Sequence, residues 1–110
     1  PFKFNANVIN NGTITNLPDN VCVEIPVTAD EKGYTRQFKG ELPDVVLPIV
    51  SYTAQIENLV VDAWAKKSKQ QVIQAVSYDP LCSAVLSLEE IKEMCEELFK
   101  VNKDYLGDFY

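Results

Sequence analysis

The clearest constraint on this chain is the run Val21-Cys22-Val23-Glu24-Ile25-Pro26-Val27-Thr28. Successive side chains of an extended backbone point to opposite faces, so Val21, Val23, Ile25 and Val27 share one face. Four β-branched residues in a row on one side need an apolar cover, which makes this a strand of a sheet with one buried face. Pro26 has no backbone N–H and is expected at a free edge. Asp30-Glu31-Lys32-Gly33 reads as a hairpin turn, with residues 34 to 38 returning antiparallel. Upstream, residues 2 to 9 alternate loosely and are predicted to enter as a further strand. Asn10-Asn11-Gly12 supplies a turn, because Asn and Gly tolerate positive φ, and Leu17-Pro18-Asp19-Asn20 is a second break.

The rest of the chain reads as helix. Pro43 suits a first helical turn. Pro48 is predicted to interrupt or bend the start of a longer helix. From about Ser51 to Lys67, Ile56, Leu59, Val60, Ala63 and Trp64 recur at helical spacing and are expected to face the core. A shorter helix over about 69 to 77 turns Val72, Ile73 and Val76 inward and stops at Asp79-Pro80. The last helix opens with Ser87 and Glu90, a reciprocal capping box, flanked by Leu86 and Ile91 at the staple positions. Leu88, Ile91, Cys95 and Leu98 form its predicted apolar stripe. The fold class is therefore α+β, a small antiparallel β element followed by about three helices. We expect a single domain over 1–110, β-rich over 1–40 and helical over 43–106.

Charge and residue types narrow the chemistry. Sixteen acids against ten bases give a net charge of −6, which repels phosphate backbones and anionic lipids. Neither nucleic acid nor a membrane is expected as a partner. Lys66, Lys67 and Lys69 read as the solvated end of a helix. Three cysteines, Cys22, Cys82 and Cys95, describe no disulfide framework and point to reduced thiols in the cytoplasm. No signal-peptide pattern or transmembrane run is present. A chain that opens on Pro1 rather than Met is expected of a trimmed protein or a piece of a longer one. There is no His, so Ser–His and Cys–His nucleophilic catalysis lack their base. Three scattered Cys do not close a zinc site. Gly12, Gly33, Gly40 and Gly107 make no phosphate-binding loop. Carboxylate pairs are always available among sixteen acids, but Glu89, Glu90, Glu93, Glu96 and Glu97 read as a solvated helix face. Trp64 is expected in the core, and Tyr34, Tyr52, Tyr78, Tyr105 and Tyr110 are too dispersed for a sugar platform. Asn11-Gly12-Thr13 matches a glycosylation sequon without a secretory context. No catalytic, cofactor-binding or metal-binding residue emerges from these patterns.

One segment carries more information than its composition. Residues 7 to 26 read NVINNGTITNLPDNVCVEIP. This resembles the C-terminal segment of glycoside hydrolase family 4, in which an Asn-x-Gly-x-Ile turn leads through Leu-Pro-x-Asp into a Val-rich strand ending Glu-hydrophobic-Pro. Asn11, Gly12, Ile14, Leu17, Pro18, Asp19, Val23, Glu24 and Pro26 carry the match. Gly40, Leu42 and Pro43 look like the family's Gly-x-Leu-Pro, and Glu57, Leu59, Val60, Ala63 and Trp64 resemble its long helix. Asp79-Pro80 and the helix entry from Leu86 to Ile91 resemble the α-galactosidase-like members.

The resemblance implies a C-terminal part of a lactate/malate dehydrogenase-like glycosidase. The parent would use NAD and a divalent metal, manganese, to hydrolyse O-glycosidic bonds of a glycoside or phosphoglycoside. It would oxidise the sugar at C3, remove the C2 proton, eliminate the aglycone, add water and return the hydride. A C3 carbonyl acidifies C2, and a metal stabilises the resulting enediolate. The family's nucleotide loop, metal-binding Cys and His, and catalytic Tyr belong to earlier segments, and nothing here matches them. The turn at Asn10, Asn11 and Gly12 is the one candidate for the substrate cleft. The competing reading is that Asn-Gly merely supplies the turn.

The implied partners are the rest of the parent enzyme and further copies in a homo-oligomer. Val45, Val46, Leu47, Ile49, Val50, Val60, Val61 and Trp64 exceed what a small domain can enclose, so self-association through residues 45 to 64 is expected. The fragment alone is expected to be inactive. A free-standing interaction or regulatory module using the same fold is the alternative, and an upstream glycine-rich βαβ unit would separate the two.

Overall fold

A computed structural model describes residues 1–109, so Tyr110 lies outside the described residues. The elements are β1 (Phe2–Ile9), β2 (Cys22–Asp30), β3 (Gly33–Arg36), α1 (Leu47–Ala65), α2 (Lys69–Ser77), α3 (Pro80–Val85), α4 (Leu88–Val101) and a closing 3₁₀ turn at Gly107–Phe109. The fold is α+β, a three-stranded antiparallel sheet of order β1-β2-β3 followed by four helices. The chain's contacts gather into two compact units, Pro1–Gln55 and Ile56–Tyr110. None of the described helices is long and apolar enough to cross a membrane.

The first unit follows from the alternation of β2. Val21, Val23, Ile25 and Val27 are buried, while Cys22, Glu24 and Pro26 face out. Their cover is Ile14 and Leu17 from the loop after β1, together with Ala54 of α1, with Ala6, Val8, Leu42 and Leu47 packed around them. Each such valine or isoleucine contributes roughly 1.5–3 kcal/mol by leaving water.

Pro26 does not mark a sheet edge, as the sequence suggested, because β2 is the central strand. Its missing N–H falls where none is needed. The β2–β3 ladder ends at Val27↔Arg36, and Pro26 still accepts at its carbonyl from the Gln37 N–H at 2.9 Å. Pro48 likewise does not interrupt α1. It is the second residue of the helix, in the first turn, where N–H groups have no intrahelical acceptor.

The second unit buries Ala63, Ala75, Ile91, Cys95 and Phe99. Two expectations change here. Asp79-Pro80 ends α2 but also starts α3: Asp79 caps it by accepting from the Cys82 N–H, and Pro80 takes the first helical position. The apolar stripe of α4 is Ile91, Cys95 and Phe99, spaced four apart, while Leu88 and Leu98 are exposed. The predicted capping box is present in both directions, Glu90 N–H to Ser87 Oγ at 3.2 Å and Ser87 N–H to Glu90 Oε2 at 2.7 Å.

Trp64 is the largest departure. It is 60% exposed rather than core, and Leu59 and Val60 are also exposed. The fully buried positions of α1 are Ala54 and Ala63, while Leu47 and Ile56 are half-buried.

Candidate functional site

The loop between β1 and β2 holds the three residues singled out for a substrate cleft. Asn10 follows the last residue of β1 and is fully buried. Its carboxamide organises the loop. Nδ2 donates to the carbonyls of Ile14 (2.9 Å), Leu17 (3.2 Å) and Pro18 (2.9 Å), and Oδ1 accepts from the Ile14 N–H at 2.7 Å. A buried amide with every polar atom bonded fixes the surrounding backbone strongly, because each carbonyl would otherwise be stranded without water. Asn10 also donates its own N–H to Val21 O and accepts at its carbonyl from the Arg36 guanidinium.

Asn11 and Gly12 turn the chain at φ +44 and +77. This left-handed backbone is what Asn and Gly tolerate best. The Asn11 N–H closes the loop onto Asp19 O at 3.0 Å, and its side chain is exposed. Gly12 is half-buried, and a Cβ there would meet nothing closer than Asp19 Oδ1 at 3.9 Å. Of the three candidates, Asn10 holds the turn from within and Asn11 presents a side chain outward.

Three further residues complete the loop, and their partners lie too far along the chain for sequence spacing to reveal them. Arg36 of β3 reaches Asn10 O and the hydroxyl of buried Thr13. Asn16 exchanges both amide bonds with the backbone of Leu42, at 2.9 Å each. Ile14 bridges Gly40 in parallel. The signal that could have found them is the Asn-rich loop itself, since Asn is favoured where side chains satisfy nearby backbone.

In the second unit, a groove of about 780 Å³ is lined by α1, α2 and α4, with Asp62, Glu89 and Lys92 beside Leu59, Ile73 and Tyr78. Gln71 also lines it, and its Oε1 is buried without a hydrogen-bond partner. Nearby, Lys67 is not the solvated cation its sequence context suggested. Its Nζ lies 4.2 Å from the Trp64 ring centre and 5.3 Å from that of Phe109, and pairs with Asp108 at 2.8 Å. The hydrogen bond from Lys67 holds the Asp108 carboxyl below its ordinary range.

Two of the three thiols are held in the protonated form by their surroundings. Desolvation raises the pKa of Cys82, helped by the hydrogen bond with Asp79, and desolvation likewise raises that of Cys95. All three cysteines are free. Among the described residues, no group of three His, Cys, Asp or Glu could hold a metal ion. The four glycines make no glycine-rich loop of the nucleotide-binding type.

The model of the Family 4 glycosyl hydrolase C-terminal domain matches residues 1–82. An α-galactosidase of Bacillus subtilis (strain 168) is 38% identical over 109 residues, 99% of this chain and 25% of that protein. A maltose-6'-phosphate glucosidase of Clostridium acetobutylicum is 36% identical over 98 residues, 89% of this chain and 22% of that protein. Among solved structures, a 6-phospho-α-glucosidase from gut microorganisms in complex with NAD and Mn²⁺ superposes with a TM-score of 0.82 at 26% identity. The match covers 93% of this chain and 23% of that one. The chain thus spans about a quarter of the length of the relatives it matches.

Proposed function

Since the chain belongs to family 4 of the glycosyl hydrolases, as its C-terminal domain, we propose that it completes a parent glycosidase and does not act alone. The parent hydrolyses O-glycosidic bonds of glycosides or phosphoglycosides by NAD-dependent oxidation, elimination and addition, with manganese as the metal. The observation that carries this reading is the match over nearly the whole chain to α-galactosidase and phosphoglucosidase sequences, joined to the likeness with a glucosidase holding NAD and Mn²⁺. The nucleotide and metal sites belong to segments other than this one, in keeping with its lack of His and of a phosphate loop.

This chain supplies a rigid loop to the substrate cleft. Asn11 and Gly12 meet the cleft, and Asn10 positions them from below. The exposed apolar residues of α1 contact the rest of the parent and other subunits of a homo-oligomer, within a single domain over 1–110 in the cytoplasm.

Two measurements test the proposal. The purified chain, given NAD, manganese, reductant and nitrophenyl glycosides with and without a 6-phosphate, is expected to show no turnover above a no-protein control. Grafted in place of the matching segment of the Bacillus subtilis α-galactosidase, it is expected to restore NAD-dependent activity that the truncated enzyme lacks. Turnover by the chain alone, or a folded but dead graft, counts against this reading and favours a free-standing interaction module.

A further inference from the structure

The sheet has two unequal edges. β3 is only four residues long, and short edge strands are one way natural sheets discourage pairing. β1 has eight residues, contains no proline, and pairs without interruption from Phe2↔Ala29 to Ile9↔Cys22. Its free backbone groups can be read from the ladder. The Asn10 N–H donates toward β2 at Val21 O, and Pro26 turns its carbonyl toward the β3 side, where Gln37 donates to it. Bonded and non-bonded pairs alternate along an antiparallel ladder. Asn5, opposite Pro26, therefore aims its N–H and C=O away from β2, and so do Lys3, Asn7 and Ile9.

The side chains favour a partner on that edge. Phe2, Phe4, Ala6 and Val8 share the face of Val23, Ile25 and Val27 across the ladder. Phe2 and Phe4 stack at 5.6 Å between ring centres yet are 69% and 42% exposed. The chain has a net charge of −6, so two copies repel over most of their surface. β1 is an exception: it carries no acid, and Lys3 is its one charge.

We propose that β1 pairs antiparallel with β1 of a second copy, about a two-fold axis at Asn5, joining two three-stranded sheets into one. The proposal rests on the homo-oligomer reading above and adds a sheet-edge contact to the α1 contact named there. With the axis at Asn5, the outward backbone groups of Lys3, Asn5 and Asn7 find partners on Asn7, Asn5 and Lys3 of the copy. Lys3 faces Asn7, so no like charges meet. On the inner face Phe4 lies opposite Ala6 and Phe2 opposite Val8, large against small. An axis at Ala6 would instead leave Phe2 opposite Asn10, which is locked in its loop, so Asn5 is the register that covers the exposed rings.

The test reads amide exchange residue by residue in the intact chain, together with mass by light scattering, across a dilution series. The expected result is a dimer in which the Lys3, Asn5 and Asn7 amides are protected when concentrated and exchange rapidly when dilute. The Phe4, Ala6 and Val8 amides stay protected throughout. Asn5→Pro removes an outward N–H but no bond to β2, and is expected to weaken the dimer by about tenfold or more. Ile49→Glu with Val61→Glu, on the α1 surface that carries the other subunit contact, is expected to remove larger species while the β1–β1 dimer and its amide protection persist. If Asn5→Pro does not fold, the wild-type exchange pattern alone decides. Rapid exchange of the odd-numbered amides in a concentrated sample overturns the proposal. In that case, a dimer dissolved by the helix variants leaves the homo-oligomer reading standing with another surface, and a monomer at every concentration removes both.

Discussion

Asn10 shows how one residue can set a loop. Its carboxamide satisfies three carbonyls and one N–H in a site closed to water. Asn10→Ala is therefore expected to cost about 3 kcal/mol, chiefly by stranding those groups. Asn10→Asp should be worse at neutral pH, because a buried carboxylate oxygen would replace a donor and face the same carbonyls. Urea unfolding of both variants checks the order, and an aspartate variant as stable as wild type would show that water reaches the loop. The sequence made the turn legible, since Asn-Asn-Gly has few other uses. It did not distinguish a side chain that touches substrate from one that holds the backbone, because that depends on where Ile14, Leu17 and Pro18 bring their carbonyls. The thiols are a second case. Cys22 was readable as outward-facing from the alternation of its strand, and titration in denaturant is expected to find three free groups, with Cys22 reacting first in the native chain. A stable intramolecular disulfide would contradict this.

At the scale of elements, local chemistry was legible wherever one residue type does one job. The capping box at Ser87 and Glu90 is such a case, and Ser87→Ala is expected to cost about 1 kcal/mol, read from the urea midpoint. Asp79-Pro80 is more ambiguous, because a proline that ends one helix can open the next. Only the position of the Cys82 N–H settles which it does. The backbone bond from Cys82 lowers the Asp79 pKa, so its contribution is fully present above the ordinary carboxylate range. It is lost as pH falls through the lowered value, and Asp108, lowered by Lys67, behaves alike. Acidification should thus loosen the start of α3 and the closing turn. Asp79→Asn keeps a capping oxygen but does not titrate, so the Cys82 amide should lose its acid-dependent exchange in that variant. Persistence of that dependence would place its origin elsewhere. Helical periodicity located α1 and its buried Ala63 but wrongly turned Leu59, Val60 and Trp64 inward. It weights large residues, and here the small ones, Ala54 and Ala63, are buried.

For the whole molecule, the decisive fact is how much apolar surface stays outside. In the first unit Val45 and Ile49 are exposed, and in the second Val61, Trp64, Leu81, Val85 and Leu88 are exposed. The sequence already held too many apolar residues for a small domain to enclose, a consequence of the unfavourable surface-to-volume ratio at this size. Patches of this kind belong to interfaces or lead to association. What opposes association here is charge: the chain carries −6 at neutral pH and has a pI near 4.5. Lowering the pH toward the pI protonates carboxylates and removes the mutual repulsion, and salt screens what remains. Species larger than a dimer are therefore expected to grow as pH falls from about 8 to about 5, and as salt rises at fixed pH. The same two changes would dissolve contacts held by ion pairs, so the sign separates apolar from ionic association. Ile49→Glu and Val61→Glu place charges on the exposed helix surface and should suppress these larger species. Light scattering at matched concentrations reads the effect. Association that weakens with salt, or that is indifferent to both substitutions, would show that the helix surface is not where copies of this domain stick together.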